Sequence, residues 1–199
     1  MRHPKSFTYS SLPLILKLSN WMSWWPVVSH LTKGSWLDIM SGFQSIMQLA
    51  HIKHANISEF YALDQHLDKN LVKANIKIKQ CRIDKELPFA SHRFDNVTLI
   101  NGLEHLDSPQ DILCECYRVL KPGGILQVIV PTPFSRPILE FLAFTIKIQP
   151  QISESIREHK MYYDEKTLVP MIVRAGFTSK NIKVWRIKFN CSLYASIKK

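Results

Sequence analysis

The sequence predicts an α/β domain built on a mostly parallel sheet, and three observations lead there. From residue 35 onward short apolar runs alternate with amphipathic stretches, the pattern of βαβ units. The run Phe94–Ile100 reads as a strand covered on both faces, as parallel sheets require. Aspartates stand at the ends of three successive strands, at Asp38, Asp64 and Asp84. In an open α/β sheet, ligands bind outside the carboxyl ends of the strands, where the strand order reverses.

Taken in order, Ser35–Ile39 is the first strand, with a helix through about Phe43–Lys53 behind it. Glu59–Leu63 is the second strand, His66–Ala74 its helix, and Ile76–Cys81 the third strand. After Phe94–Ile100 a helix is predicted over Pro109–Leu120. There Ile112, Leu113, Cys116, Val119 and Leu120 recur at helical spacing, and Lys121-Pro122-Gly123-Gly124 stops the helix. Ile125–Val130 is the fifth strand. Pro131–His159 is irregular, holds the apolar run Ile138–Ile148, and is long enough to serve as a substrate lid. Asp164 is a plausible N-cap for a helix over Glu165–Ala175 that Gly176 ends. The alternating runs Ile182–Ile187 and Cys191–Ile197 close the sheet. This divides the chain into an N-terminal helical segment, 1–34, and a domain, 35–199, with a lid or insertion at about 131–160.

Composition narrows the function. The chain has 199 residues, 46% hydrophobic and 21% charged, as suits one globular domain. Its formal net charge is +10, yet the basic residues are dispersed, so nucleic-acid binding is not expected. Cys81, Cys114, Cys116 and Cys191 form no C-x-x-C pair and no Cys/His spacing for structural zinc, so reduced thiols in a cytoplasmic protein and no metal are expected. The apolar run Leu12–Leu18 is too short and too interrupted for a signal peptide or a spanning helix. Trp21, Trp24 and Trp25 point to an N-terminal helix packed on the domain, with peripheral contact to the inner face of the membrane as the second reading. Oligomeric state is not legible.

The chemistry-bearing segments follow. Asp38-Ile39-Met40-Ser41-Gly42-Phe43-Gln44 leaves the first strand, and Asp64 ends the second, where a carboxylate can accept both hydroxyls of a ribose. Further on come Leu87-Pro88-Phe89, Phe94-Asp95, Leu103-Glu104-His105, and Arg118-Val119-Leu120-Lys121-Pro122-Gly123-Gly124. With these segments the chain resembles the class I S-adenosylmethionine-dependent methyltransferases of the methyltransferase type 11 group. The resemblance runs from about Trp36 to Pro131 and loosely through Ala175-Gly176-Phe177. It implies a three-layer Rossmann-like fold with a seven-stranded sheet and an antiparallel C-terminal strand. It also implies S-adenosylmethionine as cofactor. On that resemblance Asp38, Met40 and Gly42 would face its methionine portion, Asp64 the ribose and Asp84 the adenine amine. Asn101 and Leu103 would line the sulfonium end.

His105, Glu104 and His159 are the candidate catalytic residues, His105 being the better proton acceptor near neutral pH. Equally, Glu104-His105 could just begin the following helix. His159-Lys160 with Tyr162-Tyr163, after an apolar run, resembles methyltransferases of cell-surface polysaccharide or lipid-linked pathways. The expected acceptor is therefore a small molecule or one linked to lipid or saccharide. One departure matters: the family's first loop reads Asp-x-Gly-x-Gly-x-Gly, and here those glycine places carry Met40, Gly42 and Gln44. A non-catalytic relative acting as a binding or partner module is thus the alternative. A dinucleotide-dependent oxidoreductase ranks last, because Asp38–Gln44 supplies no G-x-G-x-x-G turn.

Overall fold

Side chains alternate across each strand, and that alternation divides the apolar residues between two cores. The computed structural model describes residues 14–42, 57–65, 76–83, 85–142 and 156–199. Its strands are β1 (Gly34–Ile39), β2 (Ile57–Asp64), β3 (Lys77–Gln80), β4 (Phe94–Ile100), β5 (Leu120–Pro131), β6 (Ile182–Ile187) and β7 (Ser192–Lys198). They form one sheet in the order β3-β2-β1-β4-β5-β7-β6. Neighbours from β3 to β5 pair in parallel, while β7 runs antiparallel to both β5 and β6. The α/β class, the seven strands and the antiparallel last strand all match expectation.

The helices are α1 (Leu14–Ser29), α2 (Pro109–Val119), the short α3 (Arg136–Glu140) and α4 (Glu165–Arg174). On one face Leu37, Ile39, Val97 and Leu99 pack against Ile112 and Cys116 of α2 and Leu168 and Ile172 of α4. On the other, Trp36, Phe60 and Tyr194 pack against Trp24 and Val27 of α1. Each large apolar side chain so buried stabilises by about 1.5–3 kcal/mol. Helix α4 begins where its cap predicts: Thr167 N–H donates to Asp164 Oδ1 at 2.9 Å, and Asp164 N–H returns a bond to the Thr167 hydroxyl.

Two boundaries differ from the sequence reading. Helix α2 ends at Val119, and the Lys121–Gly124 turn falls inside β5, because Leu120 already pairs with Phe94 before a shift in register. The apolar run at Ile138–Ile148 starts in α3 and is described as far as Leu142; residues 143–148 lie outside the described residues, as do the helices expected over Phe43–Lys53 and His66–Ala74.

The amino edge of β1 shows how tightly the sheet is pinned. Asp95 Oδ2 accepts from Ser35 N–H at 2.8 Å, Ser35 Oγ at 2.9 Å and Lys121 Nζ at 2.7 Å. Gly34, at φ +115°, leaves the room: a Cβ there would lie 2.2 Å from that same oxygen. Partial burial pushes the Asp95 carboxyl up, but the Lys121 ammonium and both Ser35 donors more than offset it and hold it below its ordinary value. A lowered folded-state pKa gives stability that is present above the unfolded value and lost as pH falls through the folded one. Asp95→Asn should therefore cost about 1 kcal/mol at neutral pH, a figure discounted for the solvent-exposed Lys121. Urea unfolding should show that difference from wild type shrinking below about pH 4.

Candidate functional site

The strand order reverses between β1 and β4, so the crevice beyond their carboxyl ends is where a ligand belongs. Trp36 Nε1–H donates to Thr98 Oγ1 at 2.9 Å, and that hydroxyl donates to Asp38 Oδ1 at 2.5 Å. Asp38, 2% exposed, thus turns its carboxylate onto the neighbouring strand.

Both strands leave the sheet through left-handed residues, Met40 at φ +55° and Asn101 at φ +49°. Gly42 follows at φ +57°, and its N–H donates to Asp64 Oδ2 at 2.9 Å, tying the first loop to the end of β2. The Met40 side chain turns inward. It packs against the core and closes on Gly102, where an added Cβ would lie 3.0 Å from Met40 Cβ and 3.1 Å from its sulfur. Asn101 is exposed with its N–H on Ile129 O. Leu103 is wholly buried, so its side chain serves the core. Asp84 and Gln44 lie outside the described residues.

A second group of residues gathers one turn further on. Leu103–His105 forms its own 3-10 turn, separate from α2, so Glu104-His105 does not begin that helix. Segment 159–163 is laced to this rim: Lys160 N–H donates to Glu104 O at 2.8 Å, Tyr163 N–H to Pro131 O at 2.9 Å, and Tyr163 hydroxyl to Leu103 O at 3.3 Å. Lys160 also pairs with Asp107. His159 is thereby brought to both Glu104 and His105, its Nε2 lying 4.0 Å from Glu104 Oε1 and its ring edge-on to His105 at 4.9 Å between centroids.

Burial governs the charges here. It pushes the Glu104 carboxyl up to about 8, against the pull of its own N–H and of Lys188. Desolvation pushes His159 down to about 4, with His105 adding to it, and pushes His105 down as well. Tyr163 is raised to about 12, by burial first and then by Glu104. Lys188 was not singled out by the sequence. It sits in the β6–β7 turn, where Lys188, Phe189 and Asn190 are all left-handed, and desolvation pushes its ammonium down to about 8. A Lys-Phe-Asn turn carries no mark that would have disclosed it.

One cleft adjoins these residues and a second lies apart from them. One of about 480 Å³ is lined by Pro133, Arg136, Ile156, His159, Lys160 and Tyr162, and opens beside the His159 cluster. Another of about 550 Å³ lies at the Leu87-Pro88-Phe89 turn. Its polar groups are committed to structure: Arg118 binds Glu115 and the carbonyls of Leu87 and Phe89, while Glu115 Oε2 accepts from Leu87 N–H.

The sheet order, the crevice at β1 and β4 and the antiparallel β7 are those of the class I methyltransferases, and residues 39–128 match the family described as "Methyltransferase domain". That match spans a little under half of the chain, and the fold agrees with it. Among curated relatives it is similar to the ubiquinone/menaquinone biosynthesis C-methyltransferase UbiE of Klebsiella pneumoniae, at 36% identity over 47% of this chain and 42% of that one. The chain therefore spans less than half the length of that relative. Among solved structures it superposes on a chain from the complex of the Haloferax volcanii Trm112 methyltransferase activator, with TM-score 0.71, 13% identity and 92% and 91% of the two chains covered. A SAM-dependent methyltransferase from Thermotoga maritima gives 0.65 at 14% identity, covering 93% and 96%. At those identities the likeness is one of fold.

S-adenosylmethionine, which that family implies, fits the described residues. Asp64 stands at the end of β2, and beyond Gly42 there is open space, an added Cβ meeting only Met40 O at 4.0 Å. The tight place is between Met40 and Gly102. Gly102→Ala should destabilise the fold, and Met40→Gly, which removes both the Cβ and the sulfur, should recover part of that loss, the contact with Leu99 Cδ1 at 3.0 Å remaining. A double-mutant cycle by urea unfolding should give a coupling of about 0.5–3 kcal/mol.

Proposed function

We propose that the chain transfers a methyl group from S-adenosylmethionine to a small-molecule or lipid- or saccharide-linked acceptor. The observation that carries this reading is the crevice between β1 and β4, with Asp64 bonded to the left-handed Gly42 at its edge. When bound, the cofactor supplies an electrophilic methyl group on sulfur. Asp64 has the lone pairs to hold Gly42 N–H and still accept ribose hydroxyls. Asp84 is assigned to the adenine amine, and Met40, Asn101 and the backbone near Leu103 to the methionine and sulfonium end. His105, with Glu104 and His159 beside it, faces the acceptor and receives the proton released there. Much of the rate then comes from alignment and exclusion of water, which the segment carrying His159 and Tyr162 provides.

A quinone-type acceptor is the reading we favour, from the name of the UbiE relatives. The surface of α1 agrees with it. Leu14, Leu18, Trp21 and Trp25 are all exposed at i, i+4, i+7 and i+11, forming one apolar stripe, with Trp21 stacked on Trp25. Among the described residues no helix is long and apolar enough to cross a membrane. Such a stripe on a chain of charge +10 suits the surface of an anionic bilayer. Co-sedimentation with anionic vesicles should fall at least about tenfold in Trp21→Ala/Trp25→Ala. Equal sedimentation of both proteins removes the membrane contact from the reading.

The inward Met40 favours a second reading, a binding module that has lost the cofactor. Calorimetric titration with S-adenosylmethionine separates the two. Methyl transfer requires heat from the wild type, weakened at least about tenfold in Asp64→Ala. Heat only from Met40→Gly selects the non-catalytic reading, and heat from neither protein overturns cofactor binding.

A further inference from the structure

We propose that Glu104, His105 and His159 form a binding site for one divalent metal ion of the zinc class, with a further coordination position open. The sequence marks the three residues as catalytic candidates but not as metal ligands, because His159 lies far from Glu104-His105 along the chain and only the fold joins them. Each residue offers one ligand atom, and the three atoms lie within 4.8 Å of one another, the one such group among the described residues.

Two of the three side chains each keep one atom without a partner, the His105 ring being otherwise held by the backbone of Glu158. Glu104 Oε2 and His105 Nδ1 are buried with no hydrogen-bond partner among the described residues, and Glu104 is only 1% exposed. An unsatisfied buried polar atom is costly, so a native structure that keeps two of them in one cluster calls for an occupant. The third ligand is already aimed. His159 Nδ1 meets the Tyr162 hydroxyl at 3.3 Å, which leaves Nε2 toward Glu104, as an outer partner does for a metal-binding histidine.

The spacing is that of a clasp rather than of a bonded pair. At 4.0 Å, His159 Nε2 and Glu104 Oε1 are too far apart for a hydrogen bond. Two ligands on a tetrahedral zinc sit about 3.3 Å apart, so closing on an ion needs movements of about 1 Å. The bond from Lys160 N–H to Glu104 O holds the two segments together while they close. Two imidazoles and one carboxylate form a donor set suited to zinc-class ions, whereas magnesium and calcium prefer oxygen. The 480 Å³ cleft, with His159 in its wall, gives the ion its way in. Lys188, the other cation acting on Glu104, opposes the ion and keeps binding weaker than in a site without it.

The inference concerns the same residues assigned above to the acceptor end, where a bound ion would replace proton removal by His105, and it is tested without cofactor or acceptor. Chelator-treated full chain is titrated with zinc by calorimetry and with cobalt(II) by visible absorbance. One ion per chain is expected. Binding should weaken at least about tenfold in His159→Ala and in Glu104→Gln, and a thermal midpoint raised by zinc in the wild type should stay unmoved in both. His92→Ala and Cys114→Ser, which alter exposed residues, should bind as the wild type does. Circular dichroism identifies a variant that fails to fold, and the other cluster variant then carries the comparison. No binding by the wild type, equal binding by wild type and cluster variants, or loss confined to the surface variants overturns the proposal.

Discussion

Everything at the carboxyl rim depends on one buried contact, the hydroxyl of Thr98 held between the Trp36 indole and the Asp38 carboxylate. A carboxylate out of water is costly unless it is bonded, and here a neighbouring strand supplies the donor. The contact fixes β1 against β4, with Asp38 opposite Thr98. Both strands then leave the sheet just beyond, through residues that turn left-handed. The width of the crevice and the direction of its two loops are set by that registration.

A second constraint comes from the lacing of residues 159–163 onto the ends of β4 and β5. Backbone bonds, rather than side-chain affinities, carry the histidine to the glutamate. Glu104 is buried as a result, and its shifted pKa follows from the backbone arrangement rather than causing it. The turn after β6 adds Lys188 from the far edge of the sheet. The Thr132 N–H and hydroxyl bond to the carbonyls of Cys191 and Asn190, binding that turn to the end of β5.

Much of the architecture could be read from the chain because its signals are local. The Asp164 cap needs only four consecutive residues, and β2 and β4 announce their burial within eight and seven. The segments Leu87-Pro88-Phe89 and Arg118–Leu120 were legible too, though the structure gives them a clamp to form through Glu115 and Arg118. Asp38 was recognised at its strand end, but its attachment to Thr98 depends on pairing between strands 60 residues apart in sequence. The same limit hid the meeting of Glu104 with His159 and the arrival of Lys188. Periodicity reports which face a residue occupies; it is silent on which distant residue shares that face.

Met40 and Gly102 occupy one volume between them. A left-handed loop that lets a ligand approach closely usually keeps that space empty on its own strand. In this protein the relief is granted on the opposite strand, and a thioether fills it. A methionine side chain has three rotatable bonds and no branch, so it can withdraw without any change in the backbone that bears it. A change of rotamer on this one side chain would therefore alter the space between the two loops without moving the backbone that bears it.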